Sequence, residues 1–175
     1  MKLEWRPVSI GDGPPISTSL TLSEAKALRR LAKGKVVLEV GSAYGFSTVT
    51  MAQVAGHVDA VDPHIALNSL NQIIHNLSQY PGTADKVTLK LNYSEDVLPW
   101  LQDDSYDLAF IDGDHAEMWA AHDIQHALRL VRPGGVIAVH DYGEDTCPAV
   151  QGVCDALLPD GTLTDTLWVW TKPEE

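Results

Sequence analysis

Apolar and amphipathic runs alternate along the chain, and the alternation predicts strands and helices in turn. Val36-Val37-Leu38 is an apolar, β-branched run of the kind that fills a strand buried on both faces. Glu39 breaks it, Gly41 and Gly45 bracket a short turn, and Ser47 and Thr48 lead into a helix-compatible run, Val49 to Ala55, closed by Gly56. Upstream, Thr21-Leu22-Ser23-Glu24 has the form of a capping box. Leu22, Ala25, Leu28 and Leu31 then recur at helical spacing until Gly34 stops the helix. Downstream, His57 to Val61 predicts a second strand ending at Asp62. Ile65 to Gln79 predicts a helix stopped by Tyr80-Pro81-Gly82. A third strand follows at Val87 to Leu91, a short helix at Val97 to Leu101, a fourth strand at Tyr106 to Ile111 and a helix at Met118 to Leu130. Arg132-Pro133-Gly134-Gly135 predicts a sharp turn before a fifth strand, Val136 to Val139. A helix at Ala149 to Leu158 and a closing strand or strand pair at Thr162 to Thr171 complete the pattern.

This alternation is that of an α/β domain: a doubly wound, mostly parallel sheet covered by helices on both faces, with an antiparallel C-terminal strand. Residues 1–20 hold Pro7, Gly11, Gly13, Pro14 and Pro15 and predict a loop-like leader, either a lid over a pocket or a packed arm anchored by Trp5 and Ile16. Residues 21–175 form the single domain. In open sheets of this kind the ligand lies beyond the carboxyl ends of the strands. Glu39, Gly41, Asp62, Ser94, Asp112 and Asp141 each close or follow a different predicted strand, so the chemistry is expected there. An acidic side chain just before a glycine turn suits a ligand carrying an amine. Asp62, about 20 residues after the turn, stands where such folds hold a ribose.

Composition narrows the partners. Hydrophobic residues make up 45% of the 175-residue chain and charged ones 21%, which is globular, and the net charge of −12 argues against a nucleic-acid grip or docking on anionic lipid. No stretch has the length of a membrane span and the first residues lack a signal-peptide core, so a cytoplasmic protein is expected. Cys147 and Cys154 are expected as reduced thiols.

The spacing Glu39-x-Gly41-x-x-x-Gly45 differs from the dinucleotide pattern. It resembles the first motif of class I S-adenosylmethionine-dependent methyltransferases. VLEVGSAYGFSTVTMA, NYSEDVLPWL, FIDGDHAE and LVRPGGVIAVHDY together resemble small catechol-type O-methyltransferases and, more specifically, the methyltransferase 24 group that includes macrolide sugar O-methyltransferases. The resemblance implies a Rossmann-like fold and a donor site formed by Glu39, Gly41, Ser42, Ala43, Tyr44, Gly45, Ser47, Asp62, Ser94, Glu95 and Asp112. It also implies Asp112 and Asp141 as ligands of a divalent cation, Mg²⁺ by the hardness of their oxygens, and His115 with Asp112 as the catalytic pair. Where catechol-type enzymes place an Asn ligand, this chain has Tyr142, and His140 or Asp114 could fill the gap.

The expected activity is methylation of a small hydroxylated acceptor. A metal-independent methyltransferase and an inactive adenosyl-ligand-binding accessory protein are the alternatives. Several residues have structural readings as well. Asp112 could cap the following helix, and His115 could be a solvated helix-start residue with an ordinary pKa near about 6.5. His115, His122 and His126 share a helical face that reads as solvated surface rather than a metal site. Met118 and Trp119 border an acceptor site or pack the helix. Trp168 and Trp170 share a strand face that packs the core or, at an exposed sheet edge, a second copy in a homodimer.

Overall fold

In the computed structural model, which describes residues 5–11 and 13–174, the alternating pattern folds into a seven-stranded sheet with helices on both faces. The core strands are β3 (Val36–Val40), β4 (His57–Val61), β5 (Val87–Lys90), β6 (Tyr106–Ile111) and β7 (Val131–Val139). All pair in parallel, in the spatial order β5-β4-β3-β6-β7. Two further strands, β8 (Thr162–Thr164) and β9 (Leu167–Thr171), finish the sheet antiparallel, with β9 against β7 and β8 at the edge. The chain builds outward from β3 to β5, then returns to the other side of β3 for β6. The β3–β6 boundary is therefore the switch point at which such sheets hold their ligands.

Each face has its own core. One cluster packs helices α1 (Leu22–Leu31), α2 (Phe46–Ala52) and α3 (Ser69–Gln79) on Val37, Val58, Leu108 and Phe110. The other packs α5 (Glu117–Leu130) and α6 (Pro148–Leu157) on Leu38, Ala109, Ile111 and Ile137. A four-residue helix, α4 (Ser94–Val97), follows β5. Alternate residues of β3 enter opposite cores, which is why the run is apolar on both faces.

The expected capping box is present: Thr21 Oγ1 accepts from Glu24 N at 3.1 Å and Glu24 Oε2 accepts from Thr21 N at 2.8 Å. Other boundaries differ from expectation for local reasons. Helix α3 begins at Ser69 rather than Ile65, because Asn68 is left-handed (φ 64°) and leaves Ile65 and Leu67 exposed before it. Arg132 to Gly135 do not precede the fifth strand. They bulge within it, and the register slips between Val131, opposite Tyr106, and Val136, opposite Leu108. Strand β9 is not the sheet edge, since β8 covers it, so edge pairing through its tryptophans is closed off. Trp168 instead stacks on Tyr142 at 4.4 Å and donates to Leu158 O at 3.1 Å.

The leader is more than loop. Residues Arg6–Val8 (β1) and Ile16–Thr18 (β2) pair as a hairpin, and Ile16 and Leu20 are buried in the first core. Trp5 stays half exposed, edge-on to Tyr44 at 5.1 Å. Met1 to Glu4 and Asp12 lie outside the described residues. Among the described residues no helix is long and apolar enough to cross a membrane. Because Ile16 is 1% exposed, Ile16→Ala should cost about 2–5 kcal/mol in chemical denaturation, as for a core residue. A loss under about 0.5 kcal/mol would mean the hairpin is only laid on the surface.

Candidate active site

Register sets the site. Val61, Val40, Ile111 and Val139 stand side by side at the ends of β4, β3, β6 and β7. The next residues, Asp62, Gly41, Asp112 and His140, therefore leave the sheet along one edge, each bonded to the strand beside it. Gly41 N donates to Val61 O at 2.9 Å, Asp112 N to Val40 O at 2.8 Å and His140 N to Ile111 O at 3.0 Å. A cavity of about 450 Å³ opens beyond this edge, an ordinary size for a small-ligand site.

The glycine turn is pressed against the neighbouring strand end. Gly41 has φ 88°, and a Cβ there would lie 2.0 Å from the Asp112 carbonyl oxygen. Gly45, with φ 87°, starts α2 against Ile73, where a Cβ would lie 2.6 Å from that side chain. Both positions require glycine. Asp62 braces the turn between them: its Oδ2 accepts from Ala43 N at 2.8 Å and its Oδ1 from His64 N at 2.7 Å. Each oxygen keeps a second lone pair for a ligand hydroxyl.

Beneath the turn Glu39 is fully buried. Its Oε2 accepts from Thr48 Oγ1 at 2.6 Å, while its Oε1 has no hydrogen-bond partner. Burial pushes its pKa up to about 8; the Ser47 and Thr48 hydroxyls pull it down only in part, and the charges of Asp112 and Asp62 push it further up. A buried carboxylate lacking a partner suits a ligand that brings a positive group.

On the other side of Gly41 sits a charged cluster. His115 Nε2 lies 2.7 Å from Asp141 Oδ2 and 3.9 Å from Asp112 Oδ1, though the ring N–H is not aimed for a hydrogen bond with either. The two carboxylates raise His115 to about 10 against the opposing effect of burial, so it is not the neutral imidazole expected of an unperturbed histidine. Behind them His140 is buried at 2% side-chain exposure. Its Nδ1 lies 3.2 Å from Asp112 Oδ1 and 3.1 Å from Asp141 Oδ1, and its Nε2 is 3.4 Å from Glu24 Oε2. Burial would lower the imidazole's pKa, but Asp112, Asp141 and Glu24 surround it and raise it well above its usual value. In return Glu24 is held at about 2 despite burial, and Asp141 falls well below the usual carboxylate range. Asp141 also has a left-handed backbone (φ 65°), and its Oδ1 is buried with no hydrogen-bond partner.

These observations sort the expected residues. Gly41, Ala43, Asp62, Ser94, Glu95, Asp112, His115 and Asp141 line the cavity. Glu39, Ser42, Tyr44, Gly45 and Ser47 do not line it. They lie in and behind the turn: Ser42 Oγ faces His64 Nε2 at 3.3 Å, and Tyr44 O accepts from Asn76. Asp112 does not cap the next helix. No side chain does: the N-cap of α5 is Ala116, and Asp114 Oδ1 accepts from Ala116 N at 2.8 Å in the turn before it. His115 precedes α5 and so does not share a helix face with His122 and His126. Trp119 lines the cavity, whereas Met118 is exposed and does not.

Three contributors carried no readable signal. Glu24 was fully explained as a capping residue, yet its Oε1 also accepts from Thr166 N and Oγ1, both at 2.8 Å, and its Oε2 faces His140. Asp123 is a buried residue of α5 that enters the cavity wall. Cys147 brings its thiol into reach of His115 and Asp141.

The two aspartates fit a divalent cation: hard oxygens converge, and one of them lacks any partner. Tyr142 is turned away, its hydroxyl donating to Asp155 Oδ1 at 2.7 Å.

The profile of a methyltransferase-domain family, methyltransferase 24, matches residues 38–142. A catechol O-methyltransferase of Mycobacterium tuberculosis is 34% identical over 146 residues, covering 74% of this chain and 66% of its own. One from Niastella koreensis is 30% identical over 171 residues, covering 87% and 74%. The first of these matches therefore leaves about a third of the relative's length unspanned. Among solved structures, cofactor-bound Rv0187 from MTB superposes with a TM-score of 0.70 at 27% identity, over 89% of this chain and 82% of that one. A switch-point cavity, a glycine turn locked to its neighbour strand and a profile match over most of the sheet agree, and the chain belongs to the methyltransferase-domain family.

Proposed function

We propose that the protein is an S-adenosylmethionine-dependent O-methyltransferase acting on a small hydroxylated molecule, with a divalent cation assisting at the acceptor oxygen. One observation carries this reading: the braced glycine turn and the Asp112–His115–Asp141 cluster open on the same cavity. A donor and an acceptor held there would meet in line, which is most of what methyl transfer asks of a protein. The O-methyltransferase relatives support the same reading.

S-adenosylmethionine supplies a methyl group already activated by its positive sulfur. Glu39 would receive the donor's amino group through its unpartnered oxygen, and Asp62 would accept from the ribose hydroxyls with its remaining lone pairs. Ser94, Glu95 and Asp123 also line the cavity, and the adenine would lie against them. Asp112 and Asp141 would hold a divalent cation, which when bound would supply positive charge that lowers an acceptor hydroxyl's pKa and offsets the two carboxylates beside His115. His115, in the cavity wall, is then placed to take the acceptor's proton. Trp5 and Ser19 of the leader line the same cavity, which supports its reading as a lid.

A metal-free form of this reading has one observation in its favour: His115 and His140 already give both aspartates positive partners. Turnover that survives excess chelator selects it. Turnover that is lost and then restored by added divalent cation selects the metal-assisted form.

The division of roles predicts opposite effects from two variants. Asp62→Ala should weaken donor binding about tenfold or more in calorimetry. Asp112→Asn should leave donor binding in place and lower turnover about 100-fold or more. Equal loss of donor binding in both refutes the division.

Glu39 gives a pH test. Its carboxyl is raised from 4.5 to about 8 by burial. Its contribution to stability is therefore full below about pH 4.5 and is lost as pH rises toward 8. Glu39→Gln should raise the melting temperature of the ligand-free protein at pH 8 and flatten its pH dependence between those values. The same change should weaken donor binding about tenfold or more. A variant that binds the donor as wild type does would remove Glu39 from the donor site.

A further inference from the structure

We propose that His140 is the third ligand of the cation site formed by Asp112 and Asp141, held from behind by Glu24, and that the site takes a transition-metal cation such as Mn²⁺ or Co²⁺ in preference to Mg²⁺. The inference rests on the metal-assisted reading above and adds to it the ligand set and the class of cation.

Distance is the first support. His140 Nδ1 is 3.2 Å from Asp112 Oδ1 and 3.1 Å from Asp141 Oδ1, and the three residues each bring one ligand atom within 4.8 Å of the others. Ligand atoms about 2.1 Å from one cation and at right angles around it stand about 3 Å apart. The observed spacings are those of adjacent corners of such a polyhedron. The second support is independent. Asp141 Oδ1 is buried and 3.1 Å from a ring nitrogen, yet out of line for a hydrogen bond to it, and it has no other partner. A cation between these atoms would satisfy that oxygen.

The far side of the ring supplies the third support. His140 Nε2 faces Glu24 Oε2 at 3.4 Å, and Glu24 is itself fixed by Thr21 N, Thr166 N and Thr166 Oγ1. Without a cation, Nδ1 is hydrogen-bonded to Asp112 Oδ1 at 3.2 Å; a cation at that position would displace this bond, and Glu24 behind the ring would keep the hydrogen on Nε2 and leave the Nδ1 lone pair to the metal. This orienting contact is the usual companion of a ligating histidine. The alternatives are otherwise engaged, since Asp114 accepts from Ala116 N in the turn before α5 and Tyr142 is bonded to Asp155. An imidazole nitrogen is a softer donor than oxygen. Mg²⁺ prefers an all-oxygen shell, whereas Mn²⁺, Fe²⁺, Co²⁺ and Zn²⁺ accept nitrogen readily.

The test uses metal-free full-length protein titrated calorimetrically with MnCl₂, CoCl₂ and MgCl₂, with S-adenosylmethionine binding measured on each sample. Wild type should bind Mn²⁺ and Co²⁺ about tenfold or more tightly than Mg²⁺. Glu24→Gln should weaken Mn²⁺ about 10- to 100-fold. His140→Asp, which restores an oxygen ligand, should narrow the gap between Mn²⁺ and Mg²⁺. Pulsed electron paramagnetic resonance of the Mn²⁺ form should show coupling to one imidazole nitrogen, kept in His115→Ala and lost in His140→Asp. The wild-type spectrum is read without any variant that could fail to fold.

An imidazole coupling that persists in His140→Asp, or Mn²⁺ binding unchanged in His140→Ala but lost in Asp141→Asn, overturns the assignment of His140 and leaves the metal reading standing. A sulfur-to-cobalt charge-transfer band in the Co²⁺ form overturns it in favour of Cys147 as the ligand. Absence of any cation binding, with S-adenosylmethionine still bound, overturns both this proposal and metal assistance but leaves the donor reading intact.

Discussion

The backbone contact between Gly41 and Asp112 is the constraint on which the rest of the molecule turns. A Cβ at position 41 would lie 2.0 Å from the Asp112 carbonyl oxygen. Two strand ends can come this close only if one of them carries no side chain and adopts a left-handed conformation. The consequence is chemical. The turn that begins at Gly41 and the carboxylate that begins the β6 exit are walls of one cavity, although 71 positions separate them in the chain. The parallel register then lines up Asp62 and His140 on either side. A sheet held in another register would scatter these residues even if every element formed.

The second constraint is electrostatic. Glu24, Asp112 and Asp141 converge on His140, and His115 closes the group on the cavity side. Charges taken out of water are tolerated only when they are paired. Here the pairing crosses four parts of the chain: the start of α1, the ends of β6 and β7, and the segment before α5. Glu24 ties this group to the frame, because the carboxylate that faces His140 also closes the capping box of α1 and holds Thr166 in the loop before β9. Helix cap, terminal strand pair and charged cluster are thus one connected network. Removing any member leaves a buried charge without its partner, which costs more than the contact itself contributes.

Most of the fold was legible because it depends on periodicity. The β4 and β6 ranges follow directly from their apolar runs, and the Thr21–Glu24 box marks its helix start without ambiguity. The leader was misread because Pro and Gly signal turns but not what lies between them. Ile16 was expected as an anchor and is one, buried in the first core, but the strand pairing that carries it there has no apolar alternation to announce it. The slip within β7 was invisible for a related reason: Pro133 and Gly134 end a strand by propensity, whereas pairing with β6 resumes after them. Within the site, residues at strand ends could be named from the sequence because the fold fixes where strand ends go. Glu24 and Asp123 could not, since their roles come from three-dimensional neighbours that no spacing encodes.

Several local discords in the structure meet at one cavity, although left-handed residues such as Asp104 and Asp160 also occur in turns elsewhere. Glu39 Oε1, His115 Nε2 and Asp141 Oδ1 are, among the described residues, the buried side-chain atoms left without hydrogen-bond partners. Ala43, His64 and Asp141 carry left-handed backbones without being glycine, at the same edge of the sheet. Each such feature costs free energy, on the order of 1–3 kcal/mol, and a fold selected only for stability would remove it. They persist because the surrounding register and the Gly41 contact over-determine the conformation. The unpaired atoms also differ in kind from one side of Gly41 to the other. Glu39 offers an unmet acceptor under the turn, and Asp141 offers another beside a histidine. Asp141 belongs to the cavity wall, whereas Glu39 lies beneath the turn, so the two unmet acceptors are separate features of the fold on either side of the Gly41 contact.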